Sequence, residues 1–393
     1  MRDLVTLRQH GVTLTTGPFG TVLAASDYVD GGIPLINPTH IRDGHIFPDF
    51  GVSVSRSVAH RLSRHVLKPG DIVLGRHGDV GRSALVGETE DGWLCGGGSI
   101  AIRHGMSLNP RFLQWFLTSR VARDQLLAAS LGATMDTINE QILMSLRVNT
   151  PTLRKQEVIA DYLDVETARI DALIAKKQRM TELLRARVVA QQSRLILRDL
   201  DPISGAGRLP SGWQLMNLGT LIVLQRGHDL PWIQRIEGEV PVVSSGGTSG
   251  THNVAIGEPP GVVTGRYGTI GEVFWLDVPY WPLNTTLYVQ DFRNSDPRWV
   301  YHLLRALPLN FDEEKSAVTG INRNVVGQLR VGVPPVSQQR EISEELDRSE
   351  LVGDALMQKV EKQIGLLQER RQALITAAVT GQIDVPEVVH GNH

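Results

Sequence analysis

Two arginines stand on matching glycine turns in this chain. Gly75-Arg76-His77-Gly78-Asp79-Val80-Gly81 returns as Gly265-Arg266-Tyr267-Gly268-Thr269-Ile270-Gly271. A guanidinium on a rigid turn suits a phosphate, or the acceptor edge of a guanine, which it meets with two parallel N–H bonds. A structural ion pair is the alternative use of the same group. The glycines need no ligand to explain them, because tight turns demand backbone angles that glycine adopts freely. The spacing G-x-x-G-x-x-G, with no Lys-Ser/Thr pair, fits neither a phosphate loop nor a dinucleotide fingerprint. Each turn runs on into a strand-like stretch, Ala84-Leu85-Val86 in one copy and Val273-Phe274-Trp275 in the other, so the turns belong to hairpins.

Short polar side chains come after a strand in each half. Pro34-Leu35-Ile36 leads into Asn37-Pro38-Thr39-His40-Ile41-Arg42. Pro241-Val242-Val243 leads into a loop, Ser244-Ser245-Gly246-Gly247-Thr248-Ser249-Gly250. Such donors and acceptors can order against base edges, although a plain surface loop has the same composition. The strands correspond while the chemistry after them differs, as expected of one scaffold reading two sequences. The candidate DNA contacts are Asn37, Thr39, His40, Arg42, Arg76, His77 and Arg82 in the first half. In the second they are Ser244, Ser245, Thr248, Ser249, Arg266 and Tyr267.

Catalytic and metal-binding sets are thin. Seven of the twelve histidines precede residue 150, but none has metal-ligand spacing. Cys95 is the only cysteine, which excludes an internal disulfide and a cysteine-based zinc site. Glu313-Glu314-Lys315 is a weak nuclease-like fragment. No bound metal, no cofactor and no enzyme activity are expected of this chain. The formal net charge of −2 speaks against a free-standing DNA binder and fits a reader whose partners supply cations. No apolar run approaches the roughly 20 residues that span a membrane. The start, Met1-Arg2-Asp3-Leu4, lacks a signal-peptide core. A cytoplasmic protein is expected.

The elements that must position these residues are themselves duplicated. Ile138-Asn139, Leu146-Arg147-Val148, Pro151, Gln156, Ile159 and Leu163-Asp164 return as Ile321-Asn322, Leu329-Arg330-Val331, Pro334, Gln339, Ile342 and Leu346-Asp347. The match runs on ungapped through Leu183-Leu184 and Leu366-Leu367. Residues 153–198 and 338–381 each read as one long helix, about 60 Å at 1.5 Å per residue. Apolar residues at three- and four-residue steps form a seam on each. The seam residues are Ile159, Leu163, Ile170, Leu173 and Leu184 on the first helix, and Ile342, Leu346, Leu356, Val360 and Leu367 on the second. Helices this long bury such seams most economically against each other, antiparallel. The expected organisation is a strand-rich domain at 1–152, a helix at 153–198 and a linker at 199–212. A second strand-rich domain at 213–337, a helix at 338–381 and a tail at 382–393 complete it.

The order of these motifs resembles the specificity subunit of type I restriction–modification systems. The resemblance is carried by Thr16-Gly17-Pro18-Phe19-Gly20, Gly32-Ile33-Pro34-Leu35-Ile36, Pro210-Ser211-Gly212-Trp213 and Leu218-Gly219. It is carried also by both Gly-Arg-x-Gly turns, both Ile-Asn segments, and Ala377-Ala378-Val379-Thr380-Gly381. The Pro-x-Gly-Trp entry is missing before the first domain, so that domain is expected to start short or further upstream. The resemblance implies an α+β fold of two target-recognition domains joined by an antiparallel coiled coil, with pseudo-two-fold symmetry. It implies a split double-stranded DNA target, one half read by each domain, with the helices setting the gap. Its partners would be two adenine methyltransferase subunits, which carry S-adenosylmethionine, and also motor-nuclease subunits. A coiled-coil adaptor without sequence-specific DNA binding is the alternative.

Overall fold

The computed structural model describes residues 4–78, 81–130, 138–269, 271–309 and 320–385. Glu313-Glu314-Lys315, Asp79, Val80 and Ile270 of the two glycine turns, and the end of the tail lie outside them. The chain divides into two compact units, residues 1–177 with 362–393, and residues 178–361.

The first unit is built on an antiparallel sheet. Ser99–Arg103 pairs with Thr13–Thr16 on one side and with Ile72–Gly75 on the other, and Ser83–Leu85 completes the edge. Ile72, Val73 and Leu74 are all fully buried, so this run of β-branched and apolar residues is covered on both faces. A second sheet places Ile33–Ile36 between Leu94–Cys95, which is parallel to it, and Ser53–Val54. Cys95 is buried there, and burial pushes its thiol up to about 12, far from a nucleophilic thiolate. The helical piece expected between Phe112 and Leu127 is two helices, Pro110–Thr118 and Arg120–Ser130. Ser119 separates them in an extended conformation: its hydroxyl bonds the Phe116 carbonyl at 2.6 Å and caps Ala122 N–H at 3.3 Å.

The second unit repeats this topology. Thr286–Asp291 lies between Val223–Arg226 and Gly261–Gly265, with Val273–Leu276 at the edge. Val240–Ser244 pairs with Gly247–His252 and, in parallel, with Trp281–Pro282. Helix Pro297–Ala306 takes the place of Pro110–Thr118. The same device starts both helices: Asn109 or Asp296 caps the first turn, and proline stands next at its start.

Two long helices, Leu153–Ile196 and Val336–Thr380, are shared between the units. Inside each unit they run antiparallel. In the first, Asp171 meets Arg371 at 2.9 Å and Lys177 meets Gln363 at 2.5 Å. In the second, Gln191 meets Ser349 at 2.7 Å, and Val188 packs on Gly353. Each core takes residues from both helices. Ile159 and Leu163 share the first core with Ile375, Ala378 and Val379; Leu195 and Ile196 share the second with Ile342 and Leu346. Eight of the ten expected seam residues are buried or half-buried. Leu173 and Leu356 are corrections: both face solvent, at 47% and 39% exposure. The seam steps four residues from Ile170 to Ile174, and from Gly353 to Met357, so each leucine sits one position off it. Buried Thr167, Thr181 and Gln192 fill seam slots where apolar side chains are the usual choice.

A buried glutamine docks each strand-rich unit on its long helix. Gln156 accepts from Asn109 N–H at 2.8 Å and donates to Ser107 and Pro151 carbonyls at 3.0 and 2.9 Å. Gln339 accepts from Asp296 N–H at 2.8 Å and donates to Pro334 carbonyl at 3.0 Å. Two turns further on, Asp164 takes Arg111 and the Trp115 indole, while Asp347 takes Arg298 and His302. In the second unit His302, Asp347 and Glu350 come close enough to suggest a cation site. Arg298 and Arg305 already engage the two carboxylates and would repel a cation, so the cluster reads as a helix clamp. Burial pulls His302 below its ordinary value of 6.5, against the opposing pull of Asp347. The unfolded chain accepts a proton there that the folded chain resists. Stability from this group is therefore complete above about pH 7 and declines as the pH falls through 6.5. Thermal midpoints measured between neutral and mildly acidic pH should fall, and less steeply in His302→Gln. Equal slopes would remove His302 from the account.

Candidate nucleic-acid interface

The two glycine-turn arginines make the same contact in both units. Arg76 donates from its backbone to Gly98 at 2.9 Å and accepts from Ile138 N–H at 3.0 Å, while its Nε reaches the Ile138 carbonyl at 3.2 Å. Arg266 accepts from Ile321 N–H at 2.9 Å and sends Nε to the Ile321 carbonyl at 3.3 Å. The Gly-Arg and Ile-Asn repeats are thus two sides of one tertiary contact. Each arginine fixes the start of the segment that leads back to the long helix, a scaffold role the sequence did not separate from ligand binding. Neither arginine forms an ion pair with a carboxylate among the described residues, so the salt-bridge alternative is replaced by a carbonyl anchor. The turns need glycine at Gly78 and Gly268, whose φ values are +82° and +76°.

The anchored arginine keeps free capacity in the second unit. Arg266 Nη1 is buried and finds no hydrogen-bond partner among the described residues. Its guanidinium lies 4.4 Å from the Tyr267 ring centre, and that ring in turn presses on Gly320.

The first polar segment is not all surface. Asn37 is half-buried, and Thr39 and Arg42 are exposed, Arg42 on the small hairpin Ile41–Arg42 with His45–Ile46. His40 is buried, with Nδ1 3.1 Å from the Leu35 carbonyl and 3.3 Å from Asn37 N–H. It closes its own turn and is withdrawn as a base reader. Arg82 braces the Pro38 carbonyl at 3.3 Å. His77 is exposed on the glycine turn. Arg42 and Arg82 line a cleft of about 490 Å³ with Arg123 and Arg371, against one lining carboxylate among the described residues, Asp43.

The second polar segment is a correction of form. Ser244 to Ser249 is not a flexible loop but the tip of a hairpin, with Ser245 and Gly246 as its turn. The Ser244 hydroxyl bonds the Gly247 carbonyl at 2.9 Å, and the Ser249 hydroxyl the Val242 carbonyl at 3.3 Å. Serines and threonines that satisfy strand carbonyls can support a ladder as well as a loop. Thr248 and Ser249 stay exposed on it. Beside this hairpin stand two residues that were not singled out from the sequence, Trp232 and Ile233, 75% and 90% exposed. Arg235 links them to it, stacking on Trp232 and bonding the Ser249 carbonyl at 2.7 Å. The signal available was an apolar pair directly after Pro231, in a segment with no strand or helix period.

Residues 20–182 match the family model of the type I restriction modification DNA specificity domain. The chain is 26% identical over 201 residues to the type I restriction enzyme StySPI specificity subunit of Salmonella potsdam, covering 49% of this chain and 42% of that one. Residues 20–182 thus resemble the DNA specificity domain of type I specificity subunits. It is also 26% identical over 163 residues to the EcoKI specificity subunit of Escherichia coli K12, covering 40% of this chain and 34% of that one. The matched region thus spans less than half the length of these curated relatives. The fold extends the likeness over the whole chain. A chain from a solved study of type I R-M complex assembly and conformational transition matches with a TM-score of 0.74 at 16% identity, over 95% of this chain and 98% of that one. The HsdS subunit of Thermoanaerobacter tengcongensis matches at 0.54 and 18% identity, over 95% and 97%. No helix among the described residues is long and apolar enough to cross a membrane.

Proposed function

We propose that this chain is a non-catalytic specificity subunit that recognises a bipartite double-stranded DNA target, one half-site per unit. It would direct partner methyltransferase subunits, two in number, to adenines in that target, and motor-nuclease subunits in addition. S-adenosylmethionine would be held by the methyltransferase. The observation that carries the reading is one duplicated scaffold with its turns anchored alike and its surrounding chemistry changed. Glu272 stands where Arg82 stands in the first copy, and Arg323 stands where Glu140 stands. A duplication kept for packing alone has no need of opposite charges at matched surface positions. Exposed Thr39, Arg42 and His77 in one unit, and exposed Thr248 and Ser249 with half-buried Tyr267 in the other, are the proposed contacts, with Arg76 and Arg266 as anchored supports. The near-neutral charge fits a reader whose partners share the phosphate binding. An adaptor that binds only proteins would use the same exposed leucines but gives no account of the arginine clefts.

The test is the adenine-methylation map of the host genome with and without this gene. Loss of one motif made of two short half-sites around a fixed gap is expected. An unchanged map in cells that make the partner methyltransferase would overturn the reading. Matched insertions in the two long helices should then change the gap and leave both half-sites intact.

A further inference from the structure

We propose that the cleft formed by Arg226, Arg266 and Arg323 in the second unit seats a backbone phosphate of duplex DNA. This deepens the DNA-reading function proposed above and rests on it. The cleft holds about 470 Å³ and is lined also by Tyr267, Asn322 and Asn324, with no carboxylate in its wall among the described residues. Arg226 ends the strand Val223–Arg226, opposite Leu287. Arg323 comes directly after the capping residue Asn322. Both are exposed, and neither side chain has a hydrogen-bond or ion-pair partner among the described residues. Arg266 is rigid by contrast: its Nε is tied to the Ile321 carbonyl, its guanidinium lies over Tyr267, and its buried Nη1 has no partner among the described residues.

Three cations around one cleft repel each other, and a buried N–H without an acceptor costs more than an exposed one. Both costs are relieved by a single anion. A guanine edge offers two acceptors and is satisfied by one arginine fork. A phosphate offers oxygens in several directions and carries the opposite charge, so it suits three converging guanidiniums. Contacts of this kind fix position without reading sequence.

The first unit lacks the device. Its residue matching Arg323 is Glu140, and the strand position matching Arg226 is Thr16. The Thr16 hydroxyl donates to Glu140 Oε1 at 2.7 Å, so that corner satisfies itself.

The experiment uses the full chain with its partner methyltransferase, and a duplex carrying the motif from the methylation map. Affinity is measured across a salt series for wild type and for Arg226→Ala/Arg323→Ala. Neither residue holds the fold, so the variant should keep the wild-type thermal midpoint. The expected result is affinity about tenfold lower or more, and a log–log salt slope shallower by about one to two. The methylated sequence should stay the same. An unchanged slope alongside intact wild-type binding overturns the phosphate seat, as does a changed base preference in the second half-site. A parallel thermal-shift titration uses inorganic phosphate. Stabilisation of wild type only, with an unchanged DNA slope, would assign the cleft to a small anion and overturn the DNA assignment. If wild type itself shows no sequence-dependent DNA binding, the function reading has failed, and this inference with it.

Discussion

Gln156→Ala is expected to lower the stability of the first unit by about 2–4 kcal/mol. The side chain is fully buried and makes three hydrogen bonds, to Asn109 N–H and to the carbonyls of Ser107 and Pro151. Truncation leaves three backbone groups unpaired where water has little access. Each such loss is worth roughly 1–3 kcal/mol, and partial relaxation lowers the sum. The pairing joins the cap of the helix Pro110–Thr118 to the first turn of the long helix, so the loss falls where the strand-rich part meets its support. Gln156→Glu should also be harmful, because it keeps the acceptor but removes both donors and buries a charge. Gln339→Ala should act in the same way on the second unit, somewhat less, having two such bonds. Urea unfolding of the full chain, with each unit followed by its own probe, would show which transition moves. A loss below about 1 kcal/mol for Gln156→Ala would mean that the clamp is not a principal hold.

If the proposed methyltransferase partner docks on the long helices, paired Leu183→Glu and Leu366→Glu should abolish that assembly while leaving the chain folded. The two leucines are repeat mates, each more than half exposed, on helix surfaces away from the seam. Leu173 and Leu356 are a second pair of exposed repeat mates, at 47% and 39%. Two matched apolar surfaces fit two copies of one partner. Covering a leucine is worth roughly 1.5–3 kcal/mol, and a glutamate left under the partner adds a desolvation cost. Affinity should fall about a hundredfold or more per site, and a single substitution should halve the number of methyltransferases bound. Native mass spectrometry of the co-expressed proteins would count them, with circular dichroism as the check on folding. Full occupancy in the double variant would place the partner elsewhere.

The duplication and the long helices could be read from the chain because periodicity and repetition survive in one dimension. Each failure has a physical reason. Leu173 and Leu356 look like seam residues because a three-step and a four-step are equally good helical neighbours; packing alone decides between Leu173 and Ile174. Thr167, Thr181 and Gln192 are polar, so an apolar pattern passes over them, yet each is buried. His40 looked like a surface reader because nothing in its neighbours announces that its ring will close on the Leu35 carbonyl. The Ser/Thr-rich segment after Val243 has the composition of a loop, and only its register against Val240–Ser244 makes it a strand. The arginines at 226 and 323 lie 97 positions apart in the chain, so no local motif joins them.

The division of the chain has a consequence for its synthesis. The second unit is one continuous stretch, whereas the first needs residues 362–393 as well as 1–177. A ribosome therefore releases everything the second unit requires before the first can close. Until then the apolar face around Ile159 and Leu163 lacks Ile375, Ala378 and Val379. A late stop codon would leave the downstream unit intact and cripple the one translated first. In the cell, such truncated chains should surface as clients of the quality-control machinery with their amino-terminal half unfolded.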